Sequence, residues 1–188
     1  MKRIFIALSL GLAGLGAAGQ GPSDRSDAIW TSAVMRMQRQ NDLWFKNGDF
    51  PRVVQCLKFQ AAIFPSNYDI VTNLGWMLEN EEMGLEALAV YINYRQSNPG
   101  DPEAYYPEAE YYYRKRAFDK VPPIIEPSLK LRAGPTPNSY RILAHSYEKL
   151  NLLADAVRVW KAYLARVPTD GPAKANLDRV EKKLHGGR

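Results

Sequence analysis

The chain has 188 residues, 46% of them apolar and 24% charged, with a formal charge of +5 at neutral pH. This is ordinary usage for one globular domain with a sizeable core, and it excludes wholesale disorder. The positive charge is mild and interspersed with Asp and Glu, unlike the clustered basic face of a nucleic-acid binder, so no nucleic-acid partner is expected.

The first nineteen residues read as an export signal. Met1-Lys2-Arg3 gives a positive start, Ile4 to Leu15 is apolar and uncharged, and Gly16-Ala17-Ala18-Gly19 supplies small residues for cleavage. The run is too short and glycine-rich for a spanning helix, which needs about 20 strongly apolar residues. Residues 1–19 are therefore expected to be removed. The mature chain, of charge +3 once Lys2 and Arg3 are subtracted from +5, is expected in the periplasm or outside the cell, without stable membrane insertion.

Residues 20–33 form an N-terminal extension that is partly helical. From Ser26 to Gln40 the pattern is that of a helix with Ile29, Trp30, Val34 and Met37 on one side, and nothing in it separates one long helix from two. Further on, Val53-Val54-Gln55-Cys56-Leu57 is an apolar helical pattern. Cys56 is the sole cysteine, so no intramolecular disulfide can form, and its neighbours predict a small buried hydrophobe.

From there the chain repeats itself. Leu74-Gly75-Trp76-Met77-Leu78-Glu79 aligns with Leu143-Ala144-His145-Ser146-Tyr147-Glu148, 69 residues later. At the same offset Ala87 to Tyr94 aligns with Ala156 to Tyr163, and Pro99-Gly100-Asp101 with Pro168-Thr169-Asp170. Half of 69 predicts a unit of 34 or 35 residues, and Pro65 lies 34 before Pro99. A fixed period of this length is the mark of a helical-repeat array.

These segments resemble the tetratricopeptide repeat, with its ordered aromatic or leucine, small residue, aromatic, alanine, aromatic and proline. The resemblance implies an all-α fold, a right-handed superhelical solenoid of four helix–turn–helix units at 34–67, 68–101, 102–136 and 137–170. A C-terminal capping helix and tail, 171–188, would close it. Gly75, Ala144, Ala87 and Ala156 are then the small residues where helices approach most closely. Tyr91, Tyr147 and Trp160 are core aromatics, and Pro99 and Pro168 are turn prolines. Asn41 stands where a small residue belongs, and Pro122, Pro123 and Pro127 require the second helix of the third unit to start near 122 and to be kinked or shortened. Start signals fall at Ser66 or Asn67, at Asp101-Pro102-Glu103, at Thr136-Pro137 and at Gly171-Pro172. The capping helix is expected to bury Ala173, Ala175, Leu177, Val180 and Leu184.

In this family the first helix of each unit lines a concave groove. The resemblance therefore implies a protein or peptide partner bound by Asp42, Trp76, Tyr106, Glu110, Tyr113, Arg141 and His145. Trp76, Tyr106 and Tyr113 would supply aromatic anchors, because such side chains bury area with little entropy loss. Charge along the groove runs from acidic, Asp42 to Glu110, to basic near Arg141 and Lys149. The lysine, arginine and asparagine clamp by which some members hold a C-terminal carboxylate is missing, since Gln38, Asp42, Glu103 and Pro107 occupy its places. Tyr111-Tyr112-Tyr113-Arg114-Lys115-Arg116 mixes aromatics with cations as a polyanion site would. Helical geometry divides it, putting Tyr105, Ala109 and Tyr112 on the buried side.

No catalysis, metal or cofactor is expected. His145 and His185 are the only histidines, and no phosphate loop, nucleophile elbow or paired-cysteine motif is present. The expected function is that of an exported interaction scaffold serving envelope or secretion-complex assembly. The alternative is a structural or self-associating repeat module with no groove ligand.

Overall fold

A computed structural model describes residues 22–186, with side chains from Arg25 onward, so the expected export signal lies outside the described residues. The described residues are helices and short connections, with no strand among them. In chain order they are α1 (Pro22–Lys46), α2 (Phe50–Ile63), α3 (Tyr68–Asn80) and α4 (Gly84–Ser97). A 3-10 turn, Pro102–Tyr105, leads into α5 (Tyr106–Arg114), and a second, Phe118–Lys120, into α6 (Val121–Leu129). Then come α7 (Pro137–Lys149), α8 (Leu153–Arg166) and α9 (Gly171–Gly186).

The repeat is written into the backbone as well as into the side chains. Gly48, Glu82, Arg116 and Asn151 have φ values of 74°, 62°, 62° and 60°, at spacings of 34, 34 and 35 residues. Each ends the first helix of a pair in a left-handed residue. The following amide then donates back across the turn: Asp49 to Trp44, Met83 to Leu78, Ala117 to Tyr112 and Leu152 to Tyr147, at 2.8, 2.8, 3.0 and 2.8 Å. This bond satisfies a carbonyl that the helix end leaves without a partner. Gly48 takes the conformation freely; the three larger residues hold it against a penalty of about 1–2 kcal/mol each.

Turns between pairs are also periodic. Asp101 accepts the Glu103 amide at 2.9 Å and Asp170 accepts the Ala173 amide at 2.9 Å, while Asn67 accepts the Ile70 amide at 3.0 Å. The second carboxylate oxygens of Asp101 and Asp170 take the hydroxyls of Tyr94 and Tyr163. The cap before α9 is therefore Asp170, not Gly171, because glycine has no side chain with which to accept. Asn67 rather than Ser66 caps α3. Thr136 makes no capping bond through its side chain; its amide donates to Glu103.

Two compact units divide the chain, one ending at Met77 and the other starting at Leu78 within α3. In the first, α1 is one continuous helix, since no glycine or proline interrupts residues 23–46. It packs on α2, burying Val53, Val54 and Leu57. Cys56 lies at the edge of that core rather than inside it, half-buried, with its thiol pushed up by burial and with Asn41 alongside.

In the second unit, Ala87, Ala109, Ala144 and Ala156 are wholly buried, as close helix approach requires. Tyr91, Tyr147 and Trp160 are buried aromatics, whereas Pro99 and Pro168 lie exposed in turns. Pro122 and Pro123 fall in the first turn of α6, where no amide donor is missed. Pro127 lies inside this nine-residue helix, which ends at Leu129. Pro107 does the same for α5 and explains why the third first-helix begins as a separate 3-10 turn. Helix α9 buries Ala173 and Val180, half-buries Leu177 and Leu184, and leaves Ala175 in water.

Candidate functional site

The expected partner-binding residues all lie on the first helix of a pair: α1, α3, α5 or α7. In the first unit, α1 and α3 run close enough for the Phe45 and Trp76 rings to meet at 6.0 Å, with the Phe50 ring 5.6 Å from that of Phe45. Trp76 is nevertheless 49% exposed, in the middle of a helix whose Ile70, Val71, Leu74 and Met77 are buried. Its neighbours therefore orient the indole without enclosing it. Asp42, in register with Trp76 one repeat earlier, is exposed on α1. Gly75, beside Trp76 in sequence, is buried.

In the second unit the same faces are laced by ion pairs. Arg114 on α5 donates two bonds to Glu79 at the end of α3, at 2.6 and 2.8 Å, a forked geometry that guanidinium and carboxylate match well. The Tyr91 hydroxyl donates to Glu79 at 3.2 Å, and burial next to that carboxylate pushes the phenol well up. Sixty-nine residues on, Glu148 on α7 accepts from Arg179 and, at 2.6 Å, from Lys183 on α9. Glu79 and Glu148 are equivalent, and so are Arg114 and Lys183. Helix α9 thus occupies the place of a further first helix and closes the array with the array's own chemistry.

Between these two rungs the pattern breaks. The position of Glu79 and Glu148 is held in α5 by Tyr113, half-buried with its ring edge-on to Phe118 at 5.5 Å. Burial raises the Tyr113 phenol and the nearby Glu148 charge adds to that. Tyr106 is half-buried and donates its hydroxyl to Glu110 at 2.8 Å. Arg141 is engaged within the fold, donating to Asp170 at 2.7 Å and standing 5.7 Å from the Tyr163 ring. His145 is half-buried edge-on to Trp160 at 5.2 Å, with Glu148 at 3.9 Å. Burial pushes its imidazole below the usual value, opposed by Glu148 and aided by Arg179. Arg141, at the end expected to be basic, is therefore spent on internal pairs.

Sequence reading passed over these rungs, although Glu79 to Glu148 and Arg114 to Lys183 repeat at the same 69-residue offset as the core. It also passed over Arg95 and Glu108, joined at 2.6 Å between α4 and α5 with Glu108 4% exposed. In the 111–116 cluster, Tyr111 is buried and Tyr112 half-buried, the reverse of the expected order. Arg114 belongs to Glu79, and Lys115 stands 5.6 Å from the Tyr111 ring. Among the described residues no three His, Cys, Asp or Glu side chains are grouped to hold a metal ion, and no helix is long and apolar enough to cross a membrane.

Glu148 makes one prediction about acid. Its two cations hold the carboxyl at about 2, below its ordinary 4.5. A carboxyl whose folded pKa is depressed contributes stability above the unfolded value and loses it as pH falls through the folded one. The melting temperature should therefore drop between about pH 4.5 and 2. Asp170, also held at about 2 by Tyr163, the Ala173 amide and Arg141, shares in the loss. Glu148→Gln should be less stable at neutral pH and show a shallower acid slope in thermal melts read by circular dichroism.

No protein-family profile matches the sequence, and no curated protein is similar to it. Solved structures do match in fold. MamA superposes with a TM-score of 0.61 at 15% identity, over 78% of this chain and 84% of that one. A thermophilic tetratricopeptide-repeat protein from Thermus thermophilus gives 0.54 at 19%, over 74% and 77%. A tetratricopeptide repeat protein from Parabacteroides merdae gives 0.56 at 13%, over 80% and 58%. At these identities the likeness is one of fold: an all-helical array of repeats.

Proposed function

We propose that this protein is an exported interaction scaffold that receives an extended peptide or a partner helix on the face of its first helices, in the service of envelope or secretion-complex assembly. Trp76 is the anchor, and its half-exposed indole beside Phe45 is the observation that carries the reading. A large aromatic held by its neighbours yet open to solvent loses little entropy on contact and buries much area. Within the first unit, Asp42 gives the first-helix face beside Trp76 a carboxylate with which to orient a ligand, and within the second unit Tyr106, Glu110 and Tyr113 give α5 polar atoms of its own.

Cross-linking in intact cells followed by mass spectrometry identifies the partner, and Trp76→Ala then tests the anchor. The variant should lose partner capture by roughly tenfold or more, the scale of an interface hot spot, while thermal melting changes little. Unfolding of the variant would make Trp76 a core residue and remove the proposed anchor. Unchanged capture would favour the alternative module that carries no ligand on this face.

A further inference from the structure

Helix α1 is longer than the partner it packs on. At 1.5 Å per residue its 25 residues span about 37 Å, against about 21 Å for the 14 residues of α2. The antiparallel α2 therefore ends near residue 33, and the first three turns of α1 project beyond it. Trp30 continues the seam of Val34, Met37 and Trp44 one turn past the last covering residue. It is 51% exposed, and Ile29 beside it 63%. Arg25, Ala28, Ile29, Ser32, Ala33 and Arg36 line a shallow hollow along this stretch.

Charge around the helix is sorted. At about 100° per residue, Arg25, Arg36 and Arg39 share a sector about 60° wide, and Ile29, Ala33, Met37 and Trp30 take the adjoining arc of about 100°. Asp27 and Asp42 lie on the opposite side. The three arginines and both aspartates are exposed. A cationic stripe running beside an apolar one that includes Trp is the layout of a helix lying in the plane of a bilayer interface. In sequence, the apolar run Ile4–Leu15 ends seven residues before the helix begins, and the inference rests on the export proposed above, a route that would bring α1 to a membrane.

We infer that the exposed side of α1 docks on an anionic lipid surface, with Trp30 and Ile29 of its projecting turns entering the headgroup–acyl boundary and Arg25, Arg36 and Arg39 along its flank facing lipid phosphates. An acidic protein patch would satisfy the arginines but would not require two large apolar side chains next to them. A second copy would satisfy the apolar stripe but not this one-sided cationic sector.

The test uses the chain with whatever N-terminus the cell leaves on it, sedimented with phosphatidylcholine vesicles with and without phosphatidylglycerol. Binding should need the anionic lipid and weaken with salt, and tryptophan emission should shift to shorter wavelength, a shift lost in Trp30→Phe. The triple variant Arg25→Glu/Arg36→Glu/Arg39→Glu should bind at least about tenfold more weakly, while the same positions changed to Lys should retain binding. All three sites are exposed, and matched melting curves confirm that the variants are folded. Absence of binding, equal binding to purely zwitterionic vesicles, or binding indifferent to the arginines would overturn the inference, the last assigning it to the apolar N-terminal run. Concentration-dependent doubling of mass without vesicles, abolished by Trp30→Asp, would hand the face to a second copy.

Discussion

Arg95→Ala is expected to destabilise the fold by about 3 kcal/mol, at the lower edge of the range for breaking a buried ion pair. Glu108 is 4% exposed and its carboxylate is met by the Arg95 guanidinium at 2.6 Å. Removing the arginine leaves a charge in the core with nothing to offset its lost hydration. The lower edge applies because Arg95 keeps 27% of its side chain in solvent, so water can partly replace it. Repeat register gives the contrast. Glu108 stands where the second and fourth units have Leu74 and Leu143, 34 and 35 residues away, and Arg95 stands where the fourth has Leu164. The double change Arg95→Leu/Glu108→Leu restores what the other units do and should be neutral or stabilising by about 1–4 kcal/mol. Urea denaturation of the two variants, with equal m-values, decides it. A loss under about 1 kcal/mol for Arg95→Ala would mean that Glu108 is not held as a buried charge.

That pair also marks the boundary between what the amino-acid pattern revealed and what it did not. Features set by steric size or by proline chemistry were legible. The small residues at 87, 109, 144 and 156 are buried, and α6 begins where Pro122 and Pro123 permit and ends early because of Pro127. They were legible because each acts through its own backbone or volume. Glu108 was not, since a charged residue in a single sequence reads as solvated until the neighbouring helix is known to bring a guanidinium to it. The same holds for Glu148, whose partners lie 31 and 35 residues on, in a helix that reads as a mere end-piece.

The candidate site divides along the same line. Trp76 is legible because a large aromatic there exceeds what packing needs, and its half-exposed indole is a consequence of that excess. Arg141 and His145 are legible only as residues on the groove-side face that the resemblance implies. Face does not say whether a turn residue such as Asp170 reaches Arg141, or a second-helix ring such as Trp160 covers His145, before any partner does.

The largest single-residue effect is expected at Trp160, where Ala should remove about 3–5 kcal/mol. The indole is 1% exposed, edge-on to His145 at 5.2 Å and 6.3 Å from the Tyr163 ring, so its loss opens a cavity that α7, α8 and α9 must either leave or collapse into. Its Nε1–H, however, has no acceptor among the described residues, and a buried donor without a partner costs about 1–3 kcal/mol. Substitution by another aromatic therefore sets a smaller cavity against relief of that donor. Tyrosine is the informative choice. Tyr91 holds the equivalent position one repeat pair earlier and sends its hydroxyl to Glu79, which is in register with Glu148. In Trp160→Tyr the new hydroxyl should reach Glu148 in the same way, leaving a net loss below about 2 kcal/mol, whereas Trp160→Phe has no such acceptor to find. Guanidinium denaturation should accordingly order the variants Ala, Phe, Tyr from least to most stable. A Tyr variant no better than Phe would show that the two halves of the repeat, alike in sequence at 69 residues, are not interchangeable at this contact.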